Sequence, residues 1–237
     1  MKILYIYPHP DDESFGPAQV MSRQRHDGHE VYLLTLTRGG ATKQRHRYGY
    51  SVDEMSDIRY AEMQDVARVL DLSGLTVLDL PDSELKEMDP RDIESVVRHE
   101  IVRLRPDIVA TYAVHGISGF HDHLVTHAVV KHVYMELRSE LTELRRLALV
   151  TITEDDAERM SGPFHLSGSK TDEIDCIVTV DSIDVERARR ALDCYVTFQE
   201  TIQKTGIREF ISTQAVFELY REVFDPPLND LFDQLSE

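Results

Sequence analysis
The sequence predicts a single-domain α/β fold: a mostly parallel sheet with helices on both faces. Three observations predict it. Short apolar runs of strand type alternate with longer segments whose apolar residues recur at helical spacing. No repeat, low-complexity tract or linker divides the 237 residues, a length that one α/β domain accommodates. Residues that carry chemistry follow the ends of two predicted strands, where open parallel sheets bind their ligands.

The elements follow in order. Residues 2–7 (KILYIY) form an apolar run stopped by Pro8 and read as the first strand. Residues 15–26 read as a helix and 30–36 as the second strand. Helical spacing covers 54–71, and 75–80 is strand-like. Residues 92–104 read as a helix, 107–112 (DIVATY) as a strand, 123–139 as a helix and 147–152 as a strand. Residues 174–180 are strand-like and 184–203 helical. The polar stretch 154–173, broken by Gly and Pro, is expected to be a long loop near the site. Residues 224–237 are expected to form a tail, an arm over the body or over a partner.

Composition narrows the function. A formal charge of −17 and a pI near 5.0 argue against nucleic acid or an anionic membrane as partner, because phosphates are repelled. No run approaches the ~18 apolar residues of a membrane helix. The N-terminal apolar run lacks the small-residue cleavage site of a signal peptide, so the expected location is cytoplasmic, without membrane insertion. Cys176 and Cys194 have neither CxxC spacing nor the number for a disulfide framework.

The first strand leads into Pro8-His9-Pro10-Asp11-Asp12-Glu13. A dinucleotide-binding fold places glycines here to hold phosphate; three carboxylates and an imidazole instead repel phosphate and attract a cation. Imidazole nitrogen with carboxylate oxygen suits zinc or a similar divalent ion, and a neighbouring carboxylate can serve as general base. The bland alternative, a Pro-Asp turn with Asp12 or Ser14 capping a helix, accounts for one acid only. The fourth strand leads into a loop with His115, Gly116 and Gly119, then His121-Asp122-His123 at a helix start. A ligand from here completes a three-ligand site with one position open. His123 is the expected ligand. Asp122 orients an imidazole or caps the helix. His127, four residues from His123, competes for the metal, but it and His132 read as ordinary surface or core histidines.

"PHPDDESFG" and "GISGFHDH" together resemble the LmbE-like (PIG-L-type) N-acetylglucosaminyl deacetylases. "LTRGG" at 36–40, "RYAE" at 59–62 and "LPDSEL" at 80–85 fall in the family's order. The resemblance implies a Rossmann-like fold, one divalent ion, Zn2+, and hydrolysis of an acetyl group from an N-acetylglucosamine-type conjugate. It implies His9, Asp12 and His123 as metal ligands, Asp11 as general base, and Arg59 and Asp82 as substrate contacts. Taken apart from the resemblance, Arg59 and Glu62 read equally well as a helix-surface ion pair. The implied partner is a small N-acyl amino-sugar substrate, with a homo-oligomer left open. The chain departs from the family at Phe120 and His121, where the family has His and Pro. His121 is then the expected replacement acid, ahead of His115. The absence of a Gly-x-Ser-x-Gly elbow argues against a serine hydrolase. Two alternatives follow: a metal hydrolase of another ester or amide bond, and a non-catalytic metal- or sugar-binding relative, motivated by Phe120.

Overall fold
The computed structural model describes residues 1–160 and 165–235. Residues 161–164 of the expected loop and 236–237 of the expected tail lie outside the described residues. Among these, the strands are β1 (Lys2–Tyr7), β2 (Glu30–Thr37), β3 (Gly74–Leu80), β4 (Ile108–Tyr112), β5 (Arg146–Thr151), β6 (Cys176–Thr179) and β7 (Gln214–Leu219). The helices are α1 (Asp12–Phe15), α2 (Ala18–His26), α3 (Arg45–Tyr48), α4 (Val52–Val69), α5 (Pro90–Leu104), α6 (His121–Leu137), α7 (Glu154–Arg159), α8 (Ser182–Cys194), α9 (Gln199–Thr205) and α10 (Ile207–Phe210).

One seven-stranded sheet runs β3-β2-β1-β4-β5-β7-β6. β1 to β5 are mutually parallel, and β7 is antiparallel to both β5 and β6. β1 is buried on both faces: Ile3, Tyr5 and Tyr7 enter one apolar cluster, Leu4 and Ile6 the other. That two-residue alternation between two covered faces is why its sequence is apolar throughout. α5 buries Ile93, Val97, Ile101 and Leu104, a helical stripe against the second cluster.

Several elements depart from the expected bounds, each for a local reason. The helix expected at 15–26 is two helices, because Pro17 lacks an N–H and follows Gly16. α4 begins at Val52 rather than 54, since Ser51 and Glu54 form a reciprocal capping box. α5 begins at Pro90, after the Asp89 side chain accepts from the Arg91 N–H. The helix expected at 184–203 breaks at Tyr195, where buried Glu62 takes the N–H and hydroxyl of Thr197. The stretch expected to be loop contains α7, capped by Thr153. β7 was not anticipated. In the tail, Leu228, Leu231 and Phe232 are buried against the body, and Arg146, on β5 and fully buried, donates to the Leu231 and Asp233 carbonyls and to Glu222.

Candidate active site
The strand order changes direction between β1 and β4, so the loops leaving these neighbours open a crevice at their carboxyl ends. From β1 come His9, Asp11 and Asp12; from the start of α6, after β4, come Asp122 and His123. Ligand atoms of His9, Asp12 and His123 lie within 4.8 Å of one another, and so do those of His9, Asp82 and Asp122.

Each side chain is aimed by identifiable bonds. His123 Nδ1 donates to the Gly116 carbonyl (2.9 Å), which leaves Nε2 facing Asp12 Oδ1 at 3.3 Å. A side chain at Gly116 would place Cβ 2.8 Å from His123 Cβ, and Gly116 has φ +63°, so this approach requires glycine. Tyr112, the last residue of β4, stacks on the His123 ring (4.2 Å, 8°) and donates its hydroxyl to Asp12 Oδ1 (2.7 Å). The other oxygen, Asp12 Oδ2, accepts the His9 N–H (2.8 Å). His9 Nε2 faces Asp122 Oδ2 at 3.1 Å, and its Nδ1 lies 3.5 Å from Asp12 Oδ2. Asp122 also accepts from the Ser83 and Leu85 N–H groups. It therefore orients His9 rather than capping α6, whose N-cap is Phe120 without a side-chain cap bond.

Asp11, the residue just before α1, has φ 86°, a left-handed conformation that costs an ordinary residue ~1–2 kcal/mol. The turn sends its carboxylate to the Arg59 guanidinium at 2.6 Å, while Asp12 points into the cluster. Neither Asp12 nor Ser14 caps α1: the cap has no side-chain bond, and Ser14 donates to Glu13. Arg59 is buried and also donates to the Pro10 and Gly39 carbonyls. Phe198 lies 4.4 Å from its guanidinium carbon.

The charge balance sets what the site can hold. Asp11, Asp12, Asp82 and Asp122 converge here, and Arg59 is the permanent cation among them. Burial penalises charge on His9, yet Asp12 and Asp122 outweigh it and raise the imidazole to about 10. Burial also penalises Asp12, but the His123 and His9 imidazoles hold it far below the usual carboxylate range. Burial raises Asp11 to about 6 against the pull of Arg59, and raises Glu13 to about 7 despite hydrogen bonds from Ser14 and Tyr195. Buried carboxylates in excess of cations, beside two imidazoles with tautomers set from behind, are the donor chemistry of a divalent ion such as zinc.

The remaining expected residues are placed as follows. Asp82 sits beside the cluster, with Oδ1 3.4 Å from His9 Nε2 and Oδ2 accepting the Ala41 N–H. Arg59 and Glu62 are both buried and bond elsewhere, so the surface ion pair is not what forms. His127 is buried and bonded to the Tyr112 carbonyl; His132 is exposed beside Glu94. His115 Nδ1 accepts the Ile117 N–H, and its Nε2 faces Thr151 and Ser169. His121 is the first residue of α6 and exposed. At about 100° per residue it points some 200° round the helix from His123. The structure does not bring it to the cluster, because two adjacent positions, 122 and 123, already occupy the inward face. The sequence reading counted Glu13 among the three carboxylates of the first loop but gave no role to Tyr112 or to Tyr195, whose hydroxyl donates to Glu13 Oε1 (2.7 Å). A tyrosine closing a strand beside a metal motif was a usable signal for the first; nothing local marks the last.

The sequence model of the PIG-L family, GlcNAc-PI de-N-acetylase, matches residues 4–134, which carry both ligand loops. A 1D-myo-inositol 2-acetamido-2-deoxy-alpha-D-glucopyranoside deacetylase of Kineococcus radiotolerans is 27% identical over 153 residues, covering 53% of this chain and 42% of that protein. The chain spans about half the length of the curated relatives it matches. Among solved structures, a deacetylase of the teicoplanin biosynthesis pathway superposes with a TM-score of 0.71 at 14% identity, covering 94% of this chain and 99% of that one. GalB, the 4-carboxy-2-hydroxymuconate hydratase of Pseudomonas putida KT2440, superposes with a TM-score of 0.68 at 11% identity, covering 94% and 98%. Both likenesses concern the fold, and their different reactions leave the chemistry to be argued from the site. Matched by the family model over more than half of its length, with the ligand loops inside the match, the chain belongs to the PIG-L family.

Proposed function
We propose that this protein is a metal-dependent hydrolase that removes an acetyl or other acyl group from an N-acylated amino sugar of the N-acetylglucosamine type. The observation that carries the reading is the convergence of His9, Asp12 and His123 within 4.8 Å, beside an Asp11 that no ligand role consumes. Zinc is the ion assigned, on the mixed nitrogen and oxygen donors. A divalent ion held there supplies Lewis acidity to a water and to the acyl carbonyl. Asp11, aimed by Arg59, takes the water proton and returns it to the departing amine. Arg59 keeps its carboxylate in place through both transfers. Asp122 and the Gly116 carbonyl keep the two imidazoles in register, and Tyr112 keeps Asp12 in place. Asp82, at the rim beside His9, is positioned to accept from a sugar hydroxyl. Arg59 donates to Asp11 and to the Pro10 and Gly39 carbonyls, while its buried Nε–H has no hydrogen-bond partner among the described residues.

The test is turnover of a panel of N-acetylglucosamine conjugates by metal-reconstituted protein, reading free amine and acetate, with model esters alongside. Amine release from at least one conjugate is expected. Stoichiometric metal without turnover on any member favours a non-catalytic relative. Phe120, half-exposed with its ring edge-on to His123 at 5.5 Å, is the observation behind that second reading.

A further inference from the structure
Resting on the reading of His123 as a metal ligand, we infer that Glu218, on β7, is a positioning residue for that ligand. It acts through a hydrogen-bonded relay of Ser169, Thr151 and His115 that ends on the turn at 116–117. Ser169 Oγ donates to Glu218 Oε1, Thr151 Oγ1 lies 2.6 Å from Ser169 Oγ, and His115 Nε2 lies 3.2 Å from Thr151 Oγ1. His115 Nδ1 accepts the Ile117 N–H (3.0 Å). Thr151 and Ser169 are buried and His115 is half-buried, so these links are largely withdrawn from water. Thr151, Ser169 and Glu218 come from three separate stretches downstream of both ligand loops. The relay thus ties the site to parts of the fold that hold no ligand.

The proton positions follow from its fixed end. An ionised Glu218 has no proton to give, so Ser169 donates to it and accepts from Thr151. Thr151 in turn accepts from His115, which puts the imidazole proton on Nε2 and leaves Nδ1 to accept from Ile117. Reversing any single link sets two donors or two acceptors face to face. Burial keeps His115 below the ordinary imidazole range, which favours the neutral ring this pattern needs. A histidine bonded to the N–H two residues on is an ordinary turn device when it stands alone; here the ring is also fixed from its other nitrogen.

The far end of the relay is where position matters. Ile117 has φ +57°, a left-handed conformation rare for a β-branched residue, directly after Gly116 at φ +63°. Such a conformation persists where its surroundings impose it. The Ile117 N–H and the Gly116 carbonyl belong to one planar peptide unit and point opposite ways, so holding the N–H fixes the carbonyl. That carbonyl accepts from His123 Nδ1 (2.9 Å) and leaves Nε2 toward Asp12. Ser118 Oγ, 3.2 Å from the same nitrogen, rides on the same turn.

The test cuts the relay in its middle, where side-chain shape can be kept. Thr151→Val removes the hydroxyl, and Thr151→Ser keeps it. Zinc affinity is read by chelator competition, and the His123 tautomer by nitrogen NMR of the metal-free protein. Thr151→Val and Glu218→Leu are each expected to weaken zinc binding about tenfold, as loss of an outer partner of a metal-binding histidine does, and to populate the second His123 tautomer. Thr151→Ser should keep parental affinity and tautomer. The double variant Thr151→Val with Glu218→Leu should lose no more than either alone, because both cut one relay. Tyr134→Phe, which removes a hydrogen bond further along α6, should lower Tm and leave both readings unchanged. Parental affinity and tautomer in Thr151→Val overturn the inference, and so does an additive loss in the double variant. If the parent protein binds no zinc, the metal reading itself fails. The tautomer comparison then decides the relay: a mixed population in Thr151→Val supports it, and a parental one overturns it.

Discussion
At the scale of the residue, two adjacent aspartates are given different roles by one backbone torsion. The left-handed turn at Asp11 aims its carboxylate at Arg59 while Asp12, one position on, takes bonds from Tyr112 and His9. Asp11→Asn is therefore expected to retain the metal and lose ~10²–10⁴-fold in kcat, the usual contribution of a placed general base; metal analysis beside single-substrate kinetics checks it, and loss of the metal would exchange the two roles. His123→Ala should lose stoichiometric metal, whereas His127→Ala, whose ring is committed to the Tyr112 carbonyl, should keep it; elemental analysis distinguishes them. His121→Ala is expected to change kcat/KM less than about threefold, the outcome set by helix geometry; a hundredfold loss would restore it as the acid. The motif His-Pro-Asp-Asp-Glu was legible because its composition is costly without a cation. The orientation of His121 was not, because proximity in sequence says nothing about direction until the start of the helix is known, and the expected start lay two residues late.

At the scale of the element, strand and helix order could be read because burial on both faces writes β1, β4 and β5 as continuous apolar runs. Helix starts at Ser51 and Asp89 were misjudged by two residues because polar caps precede the apolar period. The break at Tyr195 was invisible because its cause, Glu62, lies on a different helix. β5 carries the largest fully buried side chain, Arg146, which joins the strand to the stretch beyond β7 through Glu222 and two carbonyls. Arg146→Met should cost about 3 kcal/mol, since Glu222 and the carbonyls lose their donor. Denaturant unfolding measures it; a change below about 0.5 kcal/mol would mean that apolar packing, and not the arginine, holds this stretch.

At the scale of the molecule, the candidate metal site draws its side chains from the loops after β1 and β4, so occupancy should register as global stability. With free ion at ~1,000 times its dissociation constant, binding to the folded state alone adds about 4 kcal/mol. For a chain of this size that corresponds to a rise of about 10 °C in Tm. Calorimetric scans with and without chelator should show it in the parent protein and not in His123→Ala; an equal shift in both would place the stabilising ion elsewhere. The sheet also has an order of assembly. β7 lies between β5 and β6 but follows both in the chain. During synthesis β6 leaves the ribosome with no strand to join, and β5, apolar from Leu147 to Val150, keeps one row of backbone donors and acceptors unpaired until residues 214–219 have emerged. An uncovered apolar edge is the surface to which other nascent chains add. The distance along the chain from β5 to β7 is thus also an interval of exposure, one that a chaperone, or fast translation of this stretch, would shorten.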